Sequence, residues 1–316
     1  QSTTSQMFSG QTSARLMSEK QSENTKVEGA NSVRQKASPQ LKNWNPLKER
    51  LLSASIALPI VVGFIFLGGI WFSLLITFGA SVSGYEVSKM LRLRGINLSP
   101  IATSISAGVV VLLAFTLFKI ENAAYLFSLC VIIGGVASII WISSIRVRNS
   151  SNIVAITGIL AVTFYVGGFL GHAPLIRESE HGLEWILLLL FVTTLTDTGA
   201  YAIGKAFGKT PFFPKISPSK TLEGAIGGLL FGTIGAIISA VVLANLEIGF
   251  IAVTAIGIIL SLGAQAGDLF ESSIKRLSGV KDSGSLMPGH GGALDRLDSI
   301  VFNLALLYHF VQWMSV

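Results

Sequence analysis

The chain has 316 residues, of which 51% are hydrophobic and only 13% are charged. A soluble globular domain carries roughly 25% charged residues, so this composition excludes an ordinary water-exposed surface and indicates a polytopic membrane protein. The formal net charge of +6 does not indicate a nucleic-acid partner, because basic residues in membrane proteins collect in the loops on the cytoplasmic side. We therefore expect a lipid bilayer, and no nucleic acid, as a partner.

The first 45 residues differ in composition from the rest of the chain. They are rich in Ser, Thr and Gln and show no apolar period, which is typical of a disordered segment. We interpret residues 1–45 as a disordered polar tail on the cytosolic side, followed by an integral membrane domain over residues 46–316. The single cysteine, Cys130, lies in an apolar run, which excludes a disulfide framework within the chain.

From about Leu51 onward, apolar runs recur that are long enough to cross a bilayer as helices. The runs do not alternate as barrel strands would, and backbone groups in lipid must bond within their own helix or a closed barrel. The predicted fold is therefore all-α, a polytopic membrane helix bundle with about nine transmembrane helices. We place them at residues 51–67, 70–90, 100–118, 122–142, 152–172, 184–204, 222–244, 248–268 and 297–315.

The distribution of basic residues between the two sides of the membrane tests this number of spans. Of the 23 Lys and Arg residues, five lie in the first 40 residues of the tail, and 16 of the others fall between there and the first span or after the even-numbered spans. Only Lys119 and Arg177 fall on the opposite side. The positive-inside rule then predicts the N-terminus inside and the C-terminus outside.

All five aspartates lie in the last 120 residues of the chain, at inside-facing ends of predicted spans or in the loop between two of them. They are Asp197, Asp268, Asp282, Asp295 and Asp298. Carboxylates near lipid are costly and usually face a cavity, a partner or an ion. A structural ion pair would account for one such residue, but five beside a group of lysines and arginines indicate a functional site. We expect their side chains to meet around ions in a single water-filled pocket.

The spacing of the acidic residues favours a metal site. Asp295 and Asp298 lie three residues apart at the start of a predicted helix, and Asp268 and Glu271 repeat this spacing at the end of another span, so each pair shares a helix face. A solvated helix end is the alternative for either pair alone. Oxygen ligands without nearby cysteine suit a hard cation such as Mg²⁺, which usually shares its shell with substrate phosphates.

The surroundings of the carboxylates are suited to phosphate. Eight basic residues lie on the same side, and glycines of the loop at residues 281–299 allow backbone N–H groups to approach an anion. The run "SPSKT" offers Ser217, Ser219 and Lys220 just before a helix N-terminus.

The run "GKAFGKT" at 204–210 ends like a P-loop, but it is one residue short and no strand precedes it. His290 could act as a base, a metal ligand or a phosphate donor, and Glu86 either lines the cavity or pairs with a lysine such as Lys89.

Two long runs carry a resemblance to a known family. The run "SSIKRLSGVKDSGSLMPGHGGALDRLDS", from Ser272, resembles the signature of the phosphatidate cytidylyltransferase (CDP-diacylglycerol synthase) family, and "DTGAYAIGKAFGKTPFFPKISPSKTLEG", from Asp197, resembles its upstream block. Together the motifs span residues 196–299. The signature matches at Ser272, Lys275, Arg276, Lys281, Asp282, Pro288, His290, Gly291, Gly292, Asp295, Arg296 and Asp298.

The resemblance implies that the chain transfers the CMP moiety of CTP to phosphatidic acid, giving CDP-diacylglycerol and pyrophosphate in phospholipid biosynthesis. It implies Mg²⁺ as the cofactor, with a second metal ion as an option, and a homodimer. The lipid phosphate is already ionised at neutral pH, so alignment and charge neutralisation suffice. We expect the bacterial plasma (inner) membrane, with the active site facing the cytoplasm; an organelle membrane is the alternative.

Roles follow from position together with the resemblance. Asp268 and Asp295 are the leading metal ligands, followed by Asp298 and Asp197. The catalytic set is Asp268, Asp295, Lys281, Asp282 and Arg296, with Asp282 orienting Lys281 or binding a second ion. The substrate-binding set is Ser217, Ser219, Lys220, Lys275, Arg276, His290, Gly291 and Gly292.

Three other classes share some of these features. A CTP-dependent lipid kinase, such as a polyprenol kinase, would use the same nucleotide but attack the γ-phosphorus. A transporter or channel would distribute ionisable residues across both halves of the bilayer, whereas here they gather on one side and no internal repeat is visible. A CDP-alcohol phosphotransferase carries a spaced Asp-Gly…Ala-Arg…Gly…Asp…Asp run that this chain lacks.

Overall fold

The computed structural model describes residues 46–120, 122–144, 151–243, 246, 248–286 and 291–314. The predicted disordered tail at 1–45 lies outside the described residues. The chain divides into two compact units, Gln1–Glu49 and Arg50–Val316, and the polar motifs belong to the second. The described residues form helices joined by short turns, with no strand beyond an isolated bridge between Pro211 and Thr221.

Within the described residues, ten α-helices and one π-helical segment follow in chain order. They are α1 (Pro46–Leu67), α2 (Gly69–Leu93), α3 (Pro100–Leu117), α4 (Ala123–Ser144), α5 (Asn152–Val162), the π segment (Thr163–Gly168), α6 (His172–Arg177), α7 (Gly182–Phe207), α8 (Leu222–Val242), α9 (Phe250–Leu277) and α10 (Leu294–Met314). Each predicted span corresponds to a helix or, at α5 to α6, to a continuous helical run. The all-α class of the fold is confirmed.

Seven of these segments are long and apolar enough to cross a membrane. They are α2, α3, α4, the run Asn152–Arg177, α7, α8 and α9, while Ser55–Leu67 is a shorter apolar helix. α10 is not among the seven, because Asp295, Arg296 and Asp298 begin it and Asn303 and His309 interrupt its apolar part. The polytopic membrane architecture is thus confirmed, while the count of nine and the orientation of the termini stay predictions.

The outer surface of the bundle is apolar. Large side chains that a soluble protein would bury are open, with Ile153 73% exposed, Val241 75% and Ile251 85%. A patch of this kind is unfavourable in water and favourable against lipid tails. The interior is packed by buried residues such as Tyr165, Leu188 and Ile256, so the bundle has a protein core inside a lipid-facing shell.

Small residues let the helices of the last third approach closely. A Cβ on Gly224 of α8 would lie 2.8 Å from the carbonyl oxygen of Ala200 on α7, and one on Gly267 of α9 would clash with the carbonyl oxygen of Asp298 on α10. Close backbone approach through small residues is the usual way in which membrane helices associate. It places Asp268, the residue after Gly267, directly beside α10.

Two helices continue past the predicted ends of their spans. α9 extends to Leu277 rather than residue 268, and α7 extends to Phe207 rather than residue 204. The helix continues beyond the predicted membrane span because the helical period persists where the apolar content falls. Gly267, Glu271 and Ile274 form one buried face at helical spacing. Asp268 and Glu271 are therefore fixed on a rigid helix.

Gly167 provides a test of close packing within the core. A Cβ on Gly167 in the π segment would lie 2.6 Å from the carbonyl oxygen of Ala107 on α3, and that backbone cannot give way easily. We expect Gly167→Ala to lower the free energy of unfolding by about 2 kcal/mol, measured as a lower thermal midpoint in detergent. Gly63→Ala is the matched control, because a Cβ there meets nothing within 4 Å. Equal midpoints for Gly167→Ala and the unsubstituted protein would contradict this view of the packing.

Candidate active site

A buried carboxylate from α2 fixes the start of α10. Glu86 is 5% exposed and accepts hydrogen bonds from the N–H groups of Ala293 and Leu294 and from the Ser283 hydroxyl, each at 3.0 Å. The first N–H groups of a helix have no partner within the helix, and its N-terminal end favours negative charge. Glu86 therefore ties the loop before α10 to the end of α2.

The local sequence left two roles open for Glu86, a cavity wall or a partner for Lys89. Glu86 lines a cavity, and its oxygens are taken up by the loop. Lys89 instead lies 4.9 Å from the ring centre of Tyr85. Sequence reasoning missed the anchoring role. The one available signal was a carboxylate near the end of an apolar helix.

Asp295 lies at the centre of a second set of contacts. Its carboxylate accepts hydrogen bonds from the N–H groups of Ser283 (3.0 Å) and Gly292 (2.8 Å) and from Lys275 Nζ (2.8 Å). Burial raises the pKa of the Asp295 carboxyl, but hydrogen bonds from Glu271, Lys275 and the Gly292 N–H outweigh it and lower the pKa to about 2. Asp295 is thus ionised at neutral pH.

Gly291, which lies against this carboxylate, has a backbone conformation that favours glycine. Gly291 has φ of +85°, a region that residues with a Cβ rarely adopt, and a Cβ there would lie 2.5 Å from Asp295 Oδ2. The Gly292 N–H, predicted to approach a phosphate, donates to Asp295 instead. The predicted substrate-binding role of Gly291 and Gly292 stays a prediction. In the structure these glycines shape the loop around the carboxylate.

Lys275 lies between two carboxylates. Besides Asp295, its ammonium contacts Glu271 one turn earlier on α9, and the side chains of Lys275 and Glu271 are 14% and 0% exposed. Buried charges are costly unless they are paired. Lys275, predicted to bind phosphate, is therefore engaged in joining α9 to α10.

Lys220 reaches Asp268 from the segment between α7 and α8. The segment folds back on itself through Phe212 N–H to Lys220 O (2.8 Å) and Leu222 N–H to Thr210 O (2.9 Å). Thr221 then caps α8 by accepting a hydrogen bond from the Gly224 N–H. This geometry presents Lys220 Nζ 2.6 Å from Asp268 Oδ2, with both side chains partly exposed.

Three carboxylates from three helices lie close enough to repel one another. Asp197 of α7 and Asp298 of α10 each feel the charge of Asp268 on α9, and they feel each other. Among the residues that the structure describes, no three Asp, Glu, His or Cys side chains form a ready metal-binding group. The donor chemistry nevertheless fits Mg²⁺, because all donors are oxygens and a cation would relieve the repulsion. The predicted ligands Asp268, Asp295, Asp298 and Asp197 stay predictions.

Two cavities open at this end of the bundle, where the sequence predicted one. The α2 cavity, of about 650 Å³, lies between the end of α2 and residues 280–286, and its walls include Tyr85, Glu86, Lys89, Arg92, Asp282 and Ser283. The α7–α8 cavity, of about 380 Å³, is lined by Asp197, Tyr201, Lys205, Ser219, Lys220 and Asp268, among others. Asp295 lines neither, since the loop carrying Ser283 covers it on the side of the α2 cavity. The expectation that the carboxylates meet around ions in a single pocket stays a prediction, since Asp268 and Asp282 line different cavities among the described residues.

The other predicted residues lie around these two cavities. Ser219 lines the α7–α8 cavity, and Ser217 lies in the turn beside it, where its carbonyl oxygen accepts a hydrogen bond from the Lys220 N–H. Arg276 Nε donates to the Ile216 carbonyl at 3.1 Å and so holds this turn to α9.

Three further predicted residues are exposed, and one lies outside the described part of the chain. Lys281, Asp282 and Arg296 are exposed, and Asp282 lines the α2 cavity. His290 lies outside the described residues, so the three roles proposed for it stay open.

Comparison with known proteins shows similarity along most of the chain. The sequence profile described as the cytidylyltransferase family matches residues 48–314. A phosphatidate cytidylyltransferase of Bacillus subtilis (strain 168) is 32% identical over 275 residues, which cover 85% of this chain and 99% of the relative. One from Staphylococcus saprophyticus is 36% identical over 263 residues, covering 83% of this chain and 97% of the relative. The similarity therefore extends over the first helices as well as the polar motifs.

The role of Glu86 can be tested by stability. We expect Glu86→Ala to leave two helix N–H groups and a hydroxyl without their acceptor, with a loss on the order of 3 kcal/mol. The thermal midpoint in detergent should fall, and limited proteolysis within residues 279–294 should become faster. Glu86→Gln, which keeps one carbonyl oxygen, should give an intermediate result.

Glu180→Ala serves as the control for this test, because the Glu180 side chain is 92% exposed. If Glu86→Ala and Glu180→Ala behave alike in both measurements, Glu86 does not anchor the loop.

Proposed function

Because the chain belongs to the cytidylyltransferase family, we propose that it transfers the CMP moiety of CTP to phosphatidic acid. The products are CDP-diacylglycerol and pyrophosphate, and the reaction serves phospholipid synthesis. The observation that supports this most directly is the end-to-end similarity to phosphatidate cytidylyltransferases. The grouping of carboxylates and lysines at one end of a membrane bundle suits a reaction between a nucleotide and a lipid.

The chemistry needs little from the protein beyond alignment and charge. A phosphate oxygen of phosphatidic acid attacks the α-phosphorus of CTP and forms a new P–O bond. The bond between the α-phosphorus and the bridging oxygen breaks, and pyrophosphate leaves with its electron pair. The lipid phosphate is ionised at neutral pH, so no strong general base is required.

Charged residues of this chain would bring the two anions together. Lys220 and Lys205 line the α7–α8 cavity beside Ser219 and the start of α8, where backbone N–H groups also favour phosphate. Asp268, with Asp197, Asp298 and Asp295, would hold Mg²⁺. When bound, the ion neutralises charge on the phosphates. Lys275 keeps Asp295 and Glu271 in place.

The protein is an integral membrane protein, and the nature of its substrates suggests which side carries the site. CTP is a cytosolic metabolite, so the polar end of the bundle faces the cytoplasm of a bacterial plasma membrane. This orientation agrees with the distribution of Lys and Arg. We expect a homodimer, which the family resemblance implies and which sedimentation in detergent would test.

A direct assay tests the reaction. Purified protein incubated with CTP, phosphatidic acid and Mg²⁺ should release pyrophosphate and form a lipid carrying cytidine, since the α-phosphorus is attacked. A chelator should abolish turnover, and added Mg²⁺ should restore it. With CTP labelled in the cytosine, free labelled CDP and an unlabelled lipid would instead indicate a CTP-dependent lipid kinase and would refute the proposed transfer.

The predicted metal ligands can be tested one at a time. We expect Asp268→Asn and Asp295→Asn each to reduce turnover by about 100-fold or more, because Asn keeps the shape but removes the charge that binds the cation. The thermal midpoint of Asp268→Asn should stay near that of the unsubstituted protein, with Glu180→Gln as the exposed control, whereas Asp295→Asn, which also loses the charge paired with Lys275, should fold with a lower midpoint. Near-normal turnover in either Asp variant would remove that residue from the metal site.

A further inference from the structure

The α2 cavity contains two cations that the proposed reaction has not yet used. Lys89 and Arg92 line it from the last turns of α2, and both are exposed. Among the described residues, neither lies within ion-pair distance of a carboxylate. Of the two acidic groups in the same cavity, Glu86 is occupied by the loop, whereas Asp282 is exposed. The two cations and two carboxylates of the lining balance in formal charge, but the oxygens of Glu86 are taken up by the loop, so Lys89 and Arg92 are the charged donors left open to an anion.

The walls of the α2 cavity are suited to an anion that carries an apolar tail. Val82, Met90 and Val280 contribute apolar surface, while Leu93 and Leu286 are 68% and 43% exposed. α2 is long and apolar enough to cross the membrane, so the cavity lies at the end of a span, where hydrocarbon gives way to water. A volume of about 650 Å³ lies within the range of small-molecule sites. A lipid head group with its glycerol meets these conditions better than a nucleotide, which is polar on all sides.

A single residue, Ser283, connects the α2 cavity with the Asp295 carboxylate. Ser283 lines the cavity, and its N–H donates to Asp295 at 3.0 Å. The α7–α8 cavity contains Lys205, Lys220, Ser219 and Asp268, and the charge of Asp268 acts on Asp298, three residues after Asp295 on α10. Two substrates bound in the two cavities would thus both lie next to the carboxylates of α9 and α10.

We propose that the α2 cavity binds the phosphate head group of phosphatidic acid, with Lys89 and Arg92 as its cations, and that the α7–α8 cavity binds the triphosphate of CTP. This assignment rests on the proposed function and adds which surface takes which substrate. Basic residues at the end of a span also satisfy the positive-inside rule. That rule accounts for the positive charge of these residues, but it does not account for the open cavity with apolar walls beside them.

The experiment measures the kinetics of each substrate separately in mixed micelles. The double variant Lys89→Gln/Arg92→Gln should raise the KM for phosphatidic acid by about tenfold or more, because two charge-assisted contacts to phosphate are lost. Its KM for CTP should stay within about twofold. Lys205→Gln should show the reverse pattern. Arg94→Gln is the matched control, since Arg94 lies at the same helix end but does not line the cavity.

A binding measurement without CTP separates this proposal from the proposed function. Dihexanoyl phosphatidic acid should bind the unsubstituted protein in calorimetry and bind the double variant about tenfold more weakly or worse. Inorganic phosphate and dihexanoyl phosphatidylcholine should bind weakly to both. Lipid binding that depends on Lys89 and Arg92, without any pyrophosphate release, would support the site and refute the reaction.

Four results would overturn the lipid site. The first is normal pyrophosphate release by the double variant with an unchanged KM for phosphatidic acid, and the second is an Arg94→Gln variant that raises this KM as much as the double variant does. The third is a double variant that raises the KM for CTP instead of that for phosphatidic acid. The fourth is inorganic phosphate that binds the unsubstituted protein as tightly as the lipid does. The thermal midpoint of each variant should match the unsubstituted protein, because all four side chains are at least partly exposed.

Discussion

The ammonium of Lys275, held between Glu271 and Asp295, is the interaction on which the polar end of this bundle depends. Both carboxyl groups lie where apolar helices pack together, and burying them there is costly unless each has a polar partner. One cation serves both, and in doing so it joins α9 to α10. The Ser283 and Gly292 N–H groups complete the shell of Asp295, so the loop before α10 takes its shape from the same charge.

Close helix packing makes this arrangement precise enough for chemistry. The absence of a side chain at Gly267 lets α10 lie directly against α9, and Gly224 does the same for α8 against α7. Asp197, Asp268 and Asp298 come from three helices and reach a common region because those helices approach through small residues. The mutual repulsion of the three charges is the cost of this placement, and a bound cation would offset it. Lys220 offsets part of it in the structure.

Much of the fold could be predicted from the sequence, because the length of an apolar run in lipid allows few choices. The helices, and the grouping of Asp197, Asp268 and Asp298, follow from hydropathy and from the position of polar residues. The role of Glu86 could not be predicted, since its partners Ala293 and Leu294 lie more than 200 residues away along the chain and no local pattern records them. Lys275 looked like a phosphate ligand because its type and position fit, and only the packing of α9 on α10 shows that two carboxylates already hold it. The position of Ser283 between Glu86 and Asp295 depends on the path of the loop before α10, which composition does not encode.

The fastening of α10 to α2 through Glu86 has a consequence for how the gene can be divided. The signature motifs all lie in the last 120 or so residues, which invites the idea of a self-sufficient C-terminal module. A fragment beginning after α4 would lack the acceptor for the first N–H groups of α10 and one whole wall of the α2 cavity. Recombination or truncation between the halves should therefore be tolerated only when the second helix is supplied in trans, and shuffled homologues should inherit these two distant stretches together.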